Sequence, residues 1–289
     1  MKAAPFDYVV PDTIEEAVQH LADAAGDVSI LAGGQTLMPL LALRMATPSL
    51  IVDINRIAAL SGVSRAEGAV RIGATTRQAQ ILADPTVAAH APGLTKATAL
   101  VGHHQTRNRG TIGGSISLAE PAAEYPATAL TLGAVIEARS ARGVRRIAAD
   151  DFFLGPYTTA LEPEELVTAV HFPEWPAGTR LIVEEVARRP GDFALVGFVC
   201  ALVVEGGRIS RAGVGWFGMG PTPMRSRKAE QALTGQSATG LDLAGIAALA
   251  VSETDPMEDG HASAAYRRKV AGRIFQRTVG QALAEQRAA

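Results

Sequence analysis

The sequence predicts an α+β protein of two or three folding units. Three observations carry this. Strand-like and helix-like segments alternate through the first third of the chain. Strand-like runs dominate from about Leu130 to Phe172 and return from Leu181 to Trp216. After Pro221 and Pro223 the pattern turns helical to the end. A chain of 289 residues is long enough to bury a core in each unit.

Phe6 to Val10 reads as a short strand. Thr13 with Glu16 three residues on forms a capping box, and Ile14, Ala17, Val18 and Leu21 mark one face of the helix it opens. Gly26 is placed to end that helix in a left-handed conformation. Val28 to Leu31 is a buried strand, Leu37 to Arg44 a helix and Leu50 to Ile54 a strand, a β-turn-α-β unit with very short connections. Val70 to Gly73 is a further strand, and Thr86 to Leu100 reads as helical despite Pro92. Ala134 to Arg139, Val144 to Ile147 and Leu166 to Phe172 follow as strands. Two prolines and a glycine make Pro173 to Gly178 the best linker. Leu181 to Ala187, Ala194 to Glu205 and Arg208 to Trp216 are strands, and Val270, Ile274, Phe275 and Leu283 are the apolar positions of a last helix.

Composition narrows the function. Hydrophobic residues at 47% and charged residues at 19% fit a soluble globular protein. A net charge of -2 without a basic block argues against nucleic acid as a partner. No apolar run approaches the ~20 residues of a membrane span, and Met1 to Pro11 lacks a signal-peptide core, so a cytoplasmic location is expected. The one cysteine, Cys200, lies in an apolar run and reads as a buried hydrophobe. One thiol holds neither an intrachain disulfide nor an iron–sulfur cluster, which needs about four.

The informative segments are Ala32-Gly33-Gly34-Gln35-Thr36 and Thr111-Ile112-Gly113-Gly114-Ser115. Adjacent glycines let backbone N–H groups converge on an anion, and a neighbouring hydroxyl adds a donor. The first segment also opens a helix, where a phosphate is favoured. Spacing alone leaves two readings open, a nucleotide phosphate site and a pair of tight turns. Arg107, Asn108 and Arg109 stand where they could bring positive charge to a diphosphate or face solvent. Gly213-Val214-Gly215-Trp216-Phe217-Gly218 fits a dinucleotide-binding pattern, but Pro221 and Pro223 follow where a helix must start, so it is a glycine-rich strand end. His103-His104 lacks further metal ligands, and no Ser/His/Asp or Cys/His arrangement is visible.

Leu31 to Leu37, Pro48 to Ile54, Arg107 to Ser115 and Pro190-Gly191-Asp192-Phe193-Ala194-Leu195 together resemble the FAD-binding medium subunits of molybdenum hydroxylases, the family of carbon monoxide dehydrogenase and xanthine dehydrogenase. The resemblance runs from Phe6 to Arg267. It implies two subdomains of the vanillyl-alcohol-oxidase (PCMH) type with FAD between them (about 1–56 and 57–175), then a C-terminal domain over 179–286 with a three-stranded antiparallel sheet and helices. It implies FAD contacts from Leu31, Ala32, Gly33, Gly34, Gln35, Thr36 and Leu37, and from Thr111, Gly113, Gly114 and Ser115, along the diphosphate and ribityl chain. Val101 and Gly102 would sit near the flavin, Glu124 would be an acidic ligand contact, and Leu166 would line the adenine side. Phe193 falls where some members carry a tyrosine over the isoalloxazine, and Leu118-Ala119-Glu120 departs from the His-Ala-Asp that relatives with heterocyclic substrates often carry.

By the same resemblance a large subunit would carry the molybdenum cofactor and a small subunit two [2Fe-2S] clusters, in a dimer of heterotrimers. Electrons would pass through FAD to an external acceptor such as NAD, a quinone or oxygen. The lone cysteine fits that division of labour. Thr36, Arg107-Asn108-Arg109 and Gly191-Asp192-Phe193 lean toward a complex that oxidises an aromatic N-heterocycle, with carbon monoxide, a purine or an aldehyde as alternatives. Two other readings stay open, a self-contained flavin reductase or oxidase on the same fold and a non-redox nucleotide-binding module.

Overall fold

The structure is a computed structural model and describes residues 2–24 and 27–284. The chain opens with β1 (Asp7–Val9), α1 (Ile14–Asp23), β2 (Val28–Leu31), α2 (Leu37–Leu43) and β3 (Leu50–Asp53). The strands form a parallel sheet in the order β1-β3-β2. The Thr13 hydroxyl accepts from the Glu16 amide as the capping box requires, but the Glu16 carboxylate reaches back to the Asp12 amide rather than to Thr13. Ala17, Val18 and Leu21 of α1 bury with Val52 of β3 and Ile54 just after it. The expected end of α1 at Gly26 lies outside the described residues.

A second sheet takes β4 (Val63–Ala66), β5 (Ala69–Gly73), β6 (Val135–Ser140), β7 (Gly143–Ala148) and β10 (Leu166–Pro173), antiparallel in the order β4-β5-β10-β6-β7. Between β5 and β6 run α3 (Gln78–Ala83), α4 (Pro85–His90), α5 (Pro92–Leu100), α6 (His104–Arg109), α7 (Ile112–Leu118) and α8 (Glu124–Leu132). Between β7 and β10 lie α9 (Ala149–Phe152) and the hairpin of β8 (Phe153–Gly155) and β9 (Thr158–Thr159). The single helix expected over Thr86 to Leu100 is two. Pro92 lacks an N–H and starts α5 at its first turn, while Ala91 leaves helical geometry at φ -138°, ψ 51°. Helix α8, whose last residues from Leu130 fall at the start of the expected strand-rich region, has every residue buried and so lacks the polar stripe that reveals a helix in sequence.

The last unit packs β11 (Arg180–Val186), β12 (Val196–Glu205), β13 (Arg208–Phe217) and β14 (Met224–Arg225) as an antiparallel sheet in chain order. The two-residue β14 adds a fourth strand to the three expected, because Pro223 ends the turn and Met224 pairs with Trp216. Helices α10 (Arg227–Leu233), α11 (Leu243–Ser252) and α12 (Ala264–Ala284) cover one face, where Phe198, Trp216 and Phe275 pack ring to ring. Gly215 belongs to this sheet. A Cβ there would run into the Thr131 hydroxyl of α8, so its glycine is a packing requirement and not part of a nucleotide turn.

Candidate functional site

The first glycine segment connects β2 to α2. Gly34 takes φ +71°, which favours glycine, and Gly33 is glycine for a different reason. A Cβ on Gly33 would lie 2.5 Å from the Arg109 carbonyl oxygen and 2.9 Å from the Gly110 Cα. Among the described residues the amides of Gly33, Gly34, Gln35 and Thr36 have no backbone acceptor. The Thr36 hydroxyl stands at the start of α2 and makes no capping bond. These donors are free for a ligand.

The second segment is not a turn but the first turn of α7. Thr111 is the N-cap, and its hydroxyl accepts from the Gly114 amide at 3.2 Å. Gly113 donates to the Ala74 carbonyl at 2.9 Å, and its missing Cβ lets α7 lie on Ala74. The amides of this segment are therefore largely used inside the fold. What it offers is a smooth wall at Gly114 and the hydroxyl of Ser115. The basic triplet before it lies in α6 rather than in a loop. Arg107 donates to the carbonyls of Val101 and Gly102 at 2.8 and 3.0 Å, which ties down that bend instead of meeting a ligand.

The two segments face one cavity of about 610 Å³, within the range of ligand pockets. Ala32, Gly33, Gly34, Gln35, Thr36, Leu37, Val101, Gly102, Thr111, Gly113, Gly114, Ser115, Glu124, Leu166 and Phe193 all line it. Leu31 does not. Its carbonyl accepts from Ile54, and its side chain lies beneath Gly34. Sequence reading missed Gln78, Ser117, Leu161 and Pro163, which also line the cavity. Gln78 gives no local signal, since only the fold brings α3 beside Gly110.

Polar groups inside the cavity are poorly partnered. The buried Gln78 Oε1 accepts no hydrogen bond from the described residues. The Glu124 carboxyl is buried at the first turn of α8, and burial, with a contribution from the Glu185 charge, pushes its pKa up to about 8. Glu185, on β11, is itself pushed up to about 7 by burial. A protonated Glu124 can donate to a ligand oxygen and an ionised one can accept from a hydroxyl. Glu120 and Asp192 stand at the wall too, and Tyr157 donates to Glu120. Among the described residues no Lys or Arg lines the cavity, so an anion there meets backbone amides and hydroxyls. Free amides, an orphaned Gln78 oxygen, a buried acid and an apolar end at Leu21, Val28, Ile30 and Leu166 fit an extended dinucleotide.

The other sequence candidates stand apart. Cys200 is fully buried on β12, and burial raises its thiol pKa well above the usual range. His103 packs under Gly191, and among the described residues no group of three or more potential metal ligands occurs. No described helix is long and apolar enough to cross a membrane.

Comparison with known proteins gives consistent matches along the chain. Residues 4–175 match the family model of the FAD binding domain in molybdopterin dehydrogenase, and residues 182–282 match the CO dehydrogenase flavoprotein C-terminal domain. The alpha subunit of the 6-hydroxypseudooxynicotine dehydrogenase complex of Paenarthrobacter nicotinovorans is 39% identical over 98% of this chain and 96% of its own. Among solved structures, carbon monoxide dehydrogenase from Hydrogenophaga pseudoflava superposes with a TM-score of 0.95 at 35% identity, covering 98% of this chain and 99% of that one. Quinoline 2-oxidoreductase from Pseudomonas putida 86 gives 0.92 at 37% identity, covering 99% of each.

Proposed function

Because the chain belongs to the FAD-binding medium subunits of the molybdenum hydroxylases, we propose that its cavity holds FAD between the three-stranded and five-stranded sheets. The observation that carries this reading is the meeting of the two glycine segments at one wall, Gly33 against Arg109 and Gly110, with the amides of Gly33 to Thr36 left free. The diphosphate would rest on those amides and on Thr36, against Gly114 and Ser115. The adenine would take the apolar end beside Leu166, and Glu124 would meet a ligand hydroxyl or carbonyl. Val101, Gly102 and Phe193 would surround the flavin ring. Leu31 would support the first segment from beneath Gly34 rather than touch the ligand.

The chemistry FAD supplies in such a subunit is electron exchange between iron–sulfur clusters and an external acceptor. The chain's own part is to bind the flavin, orient it and keep water from one face. A large molybdenum-cofactor subunit and a small [2Fe-2S] subunit are the partners proposed, in a cytoplasmic dimer of heterotrimers. The substrate of the complex is proposed to be an aromatic N-heterocycle. The relative named for 6-hydroxypseudooxynicotine, at 39% identity, supports that choice, while relatives named for carbon monoxide and glyceraldehyde, at 33 to 37%, stand for the alternatives.

The test is an absorption spectrum of the purified chain with and without added FAD. The expected result is a flavin spectrum free of iron–sulfur bands, with FAD released on denaturation. A folded chain that takes up no flavin would overturn the proposal.

A further inference from the structure

Two polar residues outside the cavity connect its walls. Asn55 follows β3 and donates from Nδ2 to the Ala32 carbonyl at 2.9 Å. Its own amide donates to Asp53 Oδ1 at 2.9 Å, and Asp53 is held from the far side by the Tyr8 hydroxyl at 2.5 Å. Arg77, ahead of α3, donates from one nitrogen to Asn55 Oδ1 at 2.6 Å and from another to the Arg109 carbonyl at 2.5 Å. That carbonyl is the one pressed against Gly33. A continuous chain of hydrogen bonds thus leads from the first glycine segment through Asn55 and Arg77 to the residue two before Thr111. Neither Asn55 nor Arg77 lines the cavity.

We propose that Asn55 and Arg77 form a clasp that fixes the spacing between the free amides of Gly33 to Thr36 and the α7 wall, and so sets the affinity for the FAD diphosphate. The geometry favours this over a general structural role. The pair bridges the parallel sheet and the helical layer at the point where the two segments meet, and it binds backbone carbonyls of both. Arginine suits the task because its planar fork reaches two acceptors in one plane, which a lysine ammonium on a single stem does less well. Asn55 suits it because an amide donates to Ala32 while accepting from Arg77. The clasp acts through the glycine segments, so both are positioning residues. The inference rests on the proposal that the cavity holds FAD.

The test uses the full chain stripped of flavin, with FAD affinity measured by titration for wild type, Asn55→Ala, Arg77→Gln, Arg77→Lys and the Asn55→Ala/Arg77→Gln double variant. The expected result is a loss of about tenfold or more in affinity for each of the first two, about 1.4 kcal/mol. The melting temperature of the flavin-free chain should change little, Arg77→Lys should recover part of the affinity, and the double variant should lose no more than the worse single, since the pair acts as a unit. Affinities within twofold of wild type overturn the clasp. So does a loss matched by a fall in flavin-free melting temperature, which would mark ordinary destabilisation. A folded wild-type chain that takes up no FAD instead overturns the cofactor proposal beneath it.

Discussion

The Arg109 carbonyl oxygen lies where a side chain on Gly33 would have to be, 2.5 Å from the position of its Cβ. Arg109 precedes α7, and Gly33 follows β2, so this contact sets how near the two walls of the cavity approach. Alanine at position 33 meets backbone on the opposing side, which cannot rotate away as a flexible side chain would. Gly33→Ala is therefore expected to push the segments apart. The cost to the flavin-free chain should be about 1–3 kcal/mol, typical of overpacking. FAD affinity should fall by roughly tenfold or more. Titration with FAD beside thermal melting checks both, and unchanged affinity would count against the contact as a determinant of the site.

Gly113 and Gly114 are neighbours with opposite duties. A Cβ on Gly113 would meet the Ala74 Cβ at 2.6 Å and the Ala74 carbonyl at 2.7 Å, both within the core of the second unit. A Cβ on Gly114 would meet only the Thr111 hydroxyl, at 2.9 Å, and the rest of the side chain would enter the cavity. Gly113→Val should thus lower the melting temperature of the flavin-free chain sharply. Gly114→Val should leave the fold largely intact and abolish FAD uptake. Full flavin occupancy in the Gly114 variant would move the cofactor away from this wall.

The contrast also shows what the sequence could reveal. The Thr13 cap, the β2-α2-β3 unit and the three long strands of the last sheet announce themselves through local patterns, and they were legible. The paired glycines were legible as the segments that meet at one cavity, but not as a shape. Gly113-Gly114 reads as a turn, yet Thr111 caps a helix through it because Ala74 supplies a surface only glycine can approach. Helix α8 was hidden by its complete burial, and Pro92 was legible as a disturbance whose outcome only the bend at Ala91 settles. Gln78, Asn55 and Arg77 carried no signal, since their roles arise from contacts across 22 to 32 positions of sequence.

Burial of Glu124 makes a pH dependence that can be signed. Its pKa in the fold is about 8, against an ordinary value of 4.5. Between those values the unfolded chain has released the proton and the folded chain still holds it, so stability falls as pH rises from about 4.5 to 8. One pKa unit corresponds to about 1.4 kcal/mol. Glu124→Gln removes the group that resists ionisation. The flavin-free variant should melt a few degrees above wild type at pH 8 and close to it at pH 5. Glu185 would leave a smaller slope of the same sign. Equal differences at the two pH values would show that Glu124 does not titrate in this window.

Phe193 stands at the cavity mouth with 63% of its surface exposed, on a loop that is fixed without it. Gly191, at φ +87°, lies over the His103 ring, and Arg267 donates from α12 to the Leu195 carbonyl at 2.5 Å. The Leu195 amide in turn donates to Val186 at 2.8 Å. An exposed ring on an anchored loop contributes little to folding, so Phe193→Ala should alter stability by about 0.5 kcal/mol or less. Its proposed part is to cover the flavin and shield it from solvent at the cavity mouth. The alanine variant is therefore expected to bind one FAD per chain and to admit iodide to the flavin more readily than wild type. Phe193→Tyr should restore the cover, because it returns an aromatic ring of the same size. Iodide quenching of the bound flavin at saturating FAD checks this. Identical values in wild type and the alanine variant would place the isoalloxazine away from Phe193 and toward Val101 and Gly102 alone.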